Sequence, residues 1–144
     1  MMQRQQVAVG GAIFNNKGEL LFVRRVANDE FMPGVWEIPG GGTEFGEKPE
    51  EGLKREINEE CGIKIDVDKP ILVSDYYIER NGERVQRVEI IFLCELLSHP
   101  SEITLSDEHD SFGWKKLDDL ADLEMTKYMA NIAKAISDNV GSNN

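Results

Sequence analysis

Hydrophobic residues recur in short runs along most of the chain, and several runs alternate with polar residues, which predicts β-strands. These strand-like runs lie at 6–15, 19–26, 36–38, 63–67, 71–77, 84–97 and 112–116, with Pro70 separating two of them. Turn signals at 15–18 and at Asn81-Gly82 predict that the strands on either side form hairpins. The run at 19–26 is almost continuously apolar, so we expect it to be buried on both faces.

Two stretches have the helical period. In the first, at 49–61, Leu53, Ile57 and Cys61 form one apolar stripe, Pro49 suits the first turn, and Gly62 suits the residue that ends a helix. The second helix is predicted at 124–136, and 117–120 is predicted as a single helical turn. Strands on both sides of one helix, followed by another helix, predict an α/β (α+β) fold in one domain, 1–138, with a polar tail at 139–144.

The far end of the first predicted helix breaks a rule of helix electrostatics. Glu56, Glu59 and Glu60 crowd its C-terminal half, where the dipole favours cations, and Arg55 can neutralise only part of that charge. A broken local rule inside an otherwise consistent helix indicates a functional site. Clustered carboxylates are ligands for hard cations, so we expect bound Mg²⁺, with Mn²⁺ as a possible substitute.

Composition narrows the classes of partner. The chain has 144 residues, 40% of them hydrophobic and 30% charged, with a net charge of −11. This balance is typical of a globular domain and argues against binding a nucleic-acid polymer or an anionic membrane. Cys61 and Cys94 lack zinc-site spacing and are interpreted as buried free thiols. No signal peptide or membrane span is evident, so we expect a cytoplasmic protein.

The segment at 39–63, PGGGTEFGEKPEEGLKREINEECGI, resembles the signature of the Nudix (MutT-like) hydrolases. Every fixed position of that signature is filled: Gly41, Glu47, Arg55, Glu56, Ile57, Glu59, Glu60, Gly62 and Ile63. The resemblance covers most of the chain and implies an α/β/α sandwich around a mixed β-sheet. It also implies an enzyme that attacks a phosphoric anhydride bond in nucleoside diphosphate derivatives with the help of a divalent metal.

The resemblance assigns roles within the signature. The implied metal ligands are helix carboxylates and a backbone carbonyl at the glycine-rich turn: Glu56, Glu59, Glu60 and Gly40. Glu56 and Glu59 are each a candidate for metal ligand and for general base. Arg55 is expected to orient a glutamate by a charged hydrogen bond, and Glu47 to support the loop and Arg55. Gly41 and Gly42 let the backbone approach substrate phosphates.

Outside the signature, the resemblance indicates two further residues. Glu108 is expected to complete the metal site or to serve as the base; the alternative is a solvated loop acid. Its neighbour His109 is interpreted as an ordinary loop residue. Arg25 either contacts substrate phosphates or ends its strand in solvent. Arg87, near the Asn81-Gly82 turn, is predicted to lie on an exposed hairpin face.

Substrate choice has weaker signals. The candidates for stacking on a base are aromatic residues that could equally be packing: Phe31, Phe45, Tyr76 and Tyr77. Trp36 and Trp114 are predicted to pack in the core. The short chain and the loop acid favour hydrolysis of (d)NTP to (d)NMP and pyrophosphate. The alternatives are an ADP-ribose or nucleotide-sugar hydrolase, a nucleotide-sensing module without turnover, and an isoprenyl diphosphate isomerase. A homodimer is possible.

Overall fold

The fold was described from a computed structural model, which covers residues 1–30 and 32–141. In chain order the elements are β1 (Met2–Phe14), β2 (Leu20–Arg25), β3 (Trp36–Glu37), β4 (Gly40–Gly42), α1 (Pro49–Cys61), β5 (Ile65–Arg80), β6 (Glu83–Leu96), β7 (His109–Lys115) and α2 (Lys127–Gly141). Strands therefore precede and follow α1, and a second helix ends the described chain, as the sequence predicts.

The strands form one mixed sheet with the order β3-β2-β1-β6-β5, in which β4 also pairs with β1 and β7 with β2. The central pair, β1 and β6, is parallel along its whole length, from Met2 opposite Glu83 to Phe14 opposite Glu95. The other described pairs are antiparallel. The predicted hairpins on either side of residues 15–18 and of Asn81-Gly82 are both present.

Each face of the sheet is covered by one helix. The side chains of Leu53 and Ile57 from α1 pack on Val9 of β1 and Leu21 of β2 in one core. On the opposite face α2 contributes Met129, Ile132 and Ile136 to a second core with Ala12, Leu20 and Phe22. Successive residues of β2 thus enter different cores, which explains its unbroken apolar run. The predicted α/β/α sandwich is confirmed.

Local signals placed α1 correctly at both ends. The helix begins at Pro49, and Gly62 follows it in the left-handed conformation, with φ of 66°. The Gly62 N–H donates to the Asn58 carbonyl at 2.9 Å, which satisfies one of the last carbonyls of the helix. The last turn of α1 carries no basic residue, so no cation within that turn offsets its acids.

Pairing and caps changed the predicted bounds of other elements. Pro70 does not break the strand: β5 continues through it, with irregular register on either side of Pro70. The α2 helix starts at Lys127 rather than 124, because the Thr126 hydroxyl accepts from the Met129 N–H at 3.1 Å as a cap. It runs to Gly141, so 139–141 of the predicted tail are helical. Residues 142–144 lie outside the described residues.

Three smaller differences concern strands and turns. Residues 40–42, expected as a glycine-rich loop, form β4. The last strand begins at His109 rather than 112 because its first residues pair with the end of β2. The region predicted as a helical turn has only a turn at 117–118.

The two cysteines are free and buried in the core under α1, as predicted. Burial raises the pKa of the Cys61 and Cys94 thiols to about 12. Across residues 1–30 and 32–141, no helix is long and apolar enough to cross a membrane.

Candidate active site

The glycines of β4 bring backbone and carboxylates unusually close together. Gly40, Gly41 and Gly42 pair with Gly10, Val9 and Ala8 of β1. A Cβ at Gly40 would overlap the Val9 carbonyl, and one at Gly41 would lie 2.6 Å from the Glu56 carboxyl carbon. At Gly40 a side chain would displace the backbone of β1, whereas at Gly41 it would displace the Glu56 carboxyl group.

Glu60 is the innermost acid of α1. The residue is 7% exposed, and its Oε2 accepts from the Gly40 N–H at 3.1 Å. Burial, reinforced by the charges of Glu56, Glu108 and Glu37, raises the pKa of Glu60 to about 9. Burial also raises the pKa of Glu56. The crowding that the sequence predicts along α1 therefore extends to acids of other elements.

Arg55 contacts both the loop before α1 and the acidic residues of α1. Its Nε and Nη2 donate to Glu47 Oε2 and Oε1 at 2.8 and 3.0 Å, and Nη2 also donates to the Gly42 carbonyl at 3.2 Å. Nη1 lies 3.1 Å from Glu56 Oε1 and 3.3 Å from Glu59 Oε2. The hydrogen bonds from Arg55 lower the pKa of Glu47 to about 2. These contacts match the supporting positions predicted for Arg55 and Glu47.

The loop before β7 contributes a further acid, and the first residue of β7 contributes a histidine. One ligand atom from each of Glu60, Glu108 and His109 falls within 4.8 Å of the others. His109 is 3% exposed, its Nε2 lies 3.0 Å from Glu37 Oε2, and its Nδ1 has no hydrogen-bond partner among the described residues. Glu108 is therefore positioned beside Glu60 of α1, and His109 is a buried residue of β7 rather than an ordinary loop residue.

Arg25 lies at the edge of this cluster. Its Nε donates to Glu37 Oε1 and its Nη1 to Asp29 Oδ2, both at 3.0 Å. Although burial opposes the charged form, the two carboxylates raise the pKa of Arg25. The interpretation of Arg25 as a solvated strand end is wrong, because the side chain is only 23% exposed.

A cleft of about 270 Å³ begins at the glycines and passes under α2. One part of its wall contains Arg25, Glu37, Gly40 and Gly41. The rest of the wall includes residues of β5, β6 and α2: Tyr76, Tyr77, Arg87, Glu89, Tyr128 and Met129. The cleft thus connects the acid cluster with an aromatic wall, an arrangement typical of small-molecule sites.

Only some of the aromatic residues predicted as base-stacking candidates line the cleft. Tyr76 and Tyr77 line the cleft, whereas Phe45 is fully exposed, and Phe31 lies outside the described residues. Trp36 and Trp114 pack against the two cores, as predicted.

Comparison with known proteins gives this geometry a family. The model of the NUDIX domain family matches residues 4–136. The chain belongs to the Nudix hydrolase family.

Individual relatives agree with that assignment. The chain is 34% identical over 120 residues to nucleoside triphosphatase NudI of Escherichia fergusonii, covering 78% of this chain and 84% of the relative. The MutT protein of Methanosarcina mazei superposes with a TM-score of 0.76 at 25% identity, covering 99% of this chain and 98% of that one. A MutT Nudix hydrolase of Burkholderia pseudomallei gives 0.73 at 29% identity, covering 92% and 98%.

The donor set of this Nudix hydrolase suits a divalent cation. Three ligand atoms lie within the span that one ion can bridge, and two of the three residues offer carboxylate oxygens. Burial and, after it, the charges of neighbouring carboxylates raise the pKa of Glu60, while Arg55 and Arg25 are paired with other acids. A bound cation would relieve that repulsion.

Two site residues escaped the sequence analysis. Glu37 joins Arg25 to His109 from the end of β3, and His109 itself is aligned with Arg25 at the start of β7. Both depend on β2 lying between β3 and β7, a long-range pairing that no local pattern reveals. The weak signal available was the run of charged residues at the ends of neighbouring apolar strands.

Proposed function

We propose that the chain is a Mg²⁺-dependent pyrophosphohydrolase that converts (d)NTP to (d)NMP and pyrophosphate, with Mn²⁺ able to replace Mg²⁺. The observation that carries this proposal is the group of carboxylates around the buried Glu60, which contacts Gly40 in the wall of a cleft of about 270 Å³. The similarity to a protein named nucleoside triphosphatase, over 78% of the chain, supports the choice of substrate.

In the proposed enzyme Glu56, Glu59, Glu60 and the Gly40 carbonyl would hold the metal, with Glu108 and His109 close to Glu60. When bound, a divalent cation polarises a phosphoryl oxygen and makes water a stronger nucleophile. Glu60 would be fixed in place for this task by the Gly40 N–H. Glu59, with a side chain 60% exposed, is the ligand most open to solvent and substrate.

The remaining residues of the signature would orient these acids. Arg55 holds Glu47 with two hydrogen bonds and contacts Glu56 and Glu59 through its other nitrogen. Arg55 thus fixes three carboxylates relative to α1 and, through the Gly42 carbonyl, to β4. A proton leaving the attacking water would pass to Glu56, Glu59 or Glu108, the carboxylates grouped around Glu60.

Substrate phosphates would lie along β4. We assign Gly41 and Gly42 to phosphate binding through their backbone, because glycines allow phosphate oxygens a close approach to backbone N–H groups. Arg25 lines the same cleft, and Glu37 and Asp29 hold its guanidinium in place. Its positive charge would attract the polyphosphate of the nucleotide in an otherwise acidic protein.

Product analysis tests this function. The purified protein would be incubated with Mg²⁺ and separate nucleoside triphosphates, ADP-ribose and nucleotide sugars, and the products identified by anion exchange and phosphorus NMR. We expect a monophosphate and pyrophosphate from at least one triphosphate, and no products with EDTA. Monophosphates from ADP-ribose or a sugar conjugate alone would overturn the substrate. Diphosphate and orthophosphate would overturn the position of cleavage.

A further inference from the structure

Glu89 is a buried carboxyl group on the face of the sheet that α2 covers. It lies on β6 opposite Ala8 of β1, is 8% exposed, and precedes Ile91 on the face that α2 covers. Its Oε1 accepts from the Tyr128 hydroxyl at 2.9 Å. No ion pair reaches Glu89 within the part of the chain that the structure describes. The charge of the nearby Arg87 offsets only part of the cost of burying this carboxyl group.

The neighbours of Glu89 form a polar and aromatic end to the cleft. Tyr76 and Tyr128 meet edge to face with ring centroids 5.1 Å apart, and both line the cleft with Glu89. Arg87 donates to Gln6 Oε1 at 3.1 Å and to the Tyr76 hydroxyl at 3.3 Å. Arg87 is therefore oriented by these partners, and Glu89 presents an acceptor to the cleft.

We propose that Glu89 selects the base of the bound nucleotide by accepting a hydrogen bond from an exocyclic amine. This inference rests on the proposed function and adds a substrate class to it, namely nucleotides of cytosine, adenine or guanine. A nucleotide whose phosphates lie at Gly40 and Gly41 places its base along the same cleft, against Tyr76 and Tyr128.

Chemistry favours amino-bearing bases over uracil and thymine. A carboxylate accepts hydrogen bonds, and each amino group of cytosine, adenine and guanine supplies a donor at the edge of the base. Uracil and thymine have only one N–H at that edge, flanked by two carbonyl oxygens that repel a carboxylate. The Tyr128 hydroxyl, already donating to Glu89, holds the acceptor in place for this contact.

A purely structural role predicts a different outcome. If Glu89 only anchored α2 to the sheet through Tyr128, its replacement would loosen the cleft and lower turnover of every base to the same extent. If Glu89 contacts the base, the ratio between an amino-bearing base and its carbonyl analogue would change. CTP and UTP form such a pair, because cytosine and uracil differ by an amine and a carbonyl at one edge.

The test is kcat/KM for CTP and UTP in the wild type, in Glu89→Gln and in Glu95→Gln. Glu95 is a matched control, because it lies on the same strand but is exposed and outside this cleft. We expect the wild type to prefer CTP. In Glu89→Gln the CTP/UTP ratio should fall by about 10-fold, since the new amide can donate to the uracil carbonyl. Glu95→Gln should retain the wild-type ratio.

Two further measurements keep the inference open to refutation. Metal-free calorimetry of CMP and UMP binding should show the same change in preference in Glu89→Gln without turnover. If that variant does not fold, Tyr128→Phe removes only the hydroxyl that holds Glu89 and should lower the CTP/UTP ratio in the same direction. An unchanged ratio in the folded variants, with triphosphates still hydrolysed, would overturn the inference alone. Absence of hydrolysis of any triphosphate by the wild type would instead overturn the proposed function.

Discussion

Burial of a carboxyl group among other carboxylates is the property that distinguishes this site. Glu60 is buried beside Glu56 and near Glu108 and Glu37, while the nearest arginines are committed to other acids. An unoccupied cluster of this kind makes the folded state less stable, and occupation by a cation reverses the penalty. The destabilisation of the fold in the absence of a cation is therefore measurable as a dependence of the melting temperature on pH.

The pKa of Glu60 sets the sign of that dependence. Folding raises it from 4.5 to about 9, so the folded protein keeps a proton that the unfolded chain releases. Stability should thus be highest below about pH 4.5 for this group and decline up to about pH 9. With EDTA present, we expect the melting temperature of the wild type to fall between about pH 6 and about pH 8.5.

The matched variant for this prediction is Glu60→Gln, which cannot release the proton. Its melting temperature should decline less over the same pH range, and the increase on adding Mg²⁺ should be smaller than in the wild type. Equal slopes in the two proteins would show that the burial of Glu60 has no energetic consequence.

The signature fixes the spacing of Arg55, Glu47 and the acids of α1, so their proximity could be expected. The surroundings of other residues are assembled from distant segments. Arg55 and Glu47 pair as expected, and Glu108 lies beside Glu60. His109 was misinterpreted because its burial arises from strand pairing with Arg25. Arg87, predicted on an exposed face, instead contacts Tyr76 in the cleft.

Among the elements, α1 could be predicted from its own sequence, whereas β4 could not. The bounds of α1 follow from its own apolar stripe, Pro49 and Gly62, and they agree with the structure. The strand β4 could not be predicted, because three successive glycines have no side-chain alternation and the strand is defined only by its pairing with β1. Contact between these two elements through Glu56 and Gly41 creates the site.

The close approach of β4 to β1 predicts an unequal response to added methyl groups. In Gly40→Ala the new Cβ would overlap backbone atoms of Val9 and Gly10, which cannot move without displacing β1. We expect a loss of about 3 kcal/mol in the free energy of unfolding, measured in urea. In Gly113→Ala, a control on β7, the nearest atom would be a side-chain carbon at 3.8 Å.

For the control we expect a change within about 0.5 kcal/mol, since the position has room and an ordinary backbone conformation. Similar losses in Gly40→Ala and Gly113→Ala would mean that the packing of β4 on β1 is not the constraint described above.

At the scale of the whole molecule, one sheet places separate parts of the site on connected surfaces. α1 supplies acids from one side, α2 and Tyr128 cover the cleft from the other, and β4 lies between them. The sequence predicted both helices and the sandwich. The cleft depends on the parallel pairing of β1 with β6, whose residues are about 80 positions apart, a separation too large for any local pattern.

The central claim is that the acids of α1 carry out metal-dependent cleavage of a diphosphate linkage. Its most direct test follows, by phosphorus NMR, the products from one accepted triphosphate with Mg²⁺, for the wild type and Glu59→Gln. We expect monophosphate and pyrophosphate from the wild type, and turnover slower by roughly 100-fold or more in the variant at an unchanged melting temperature. Wild-type turnover by Glu59→Gln would contradict the assignment of the metal site to these acids.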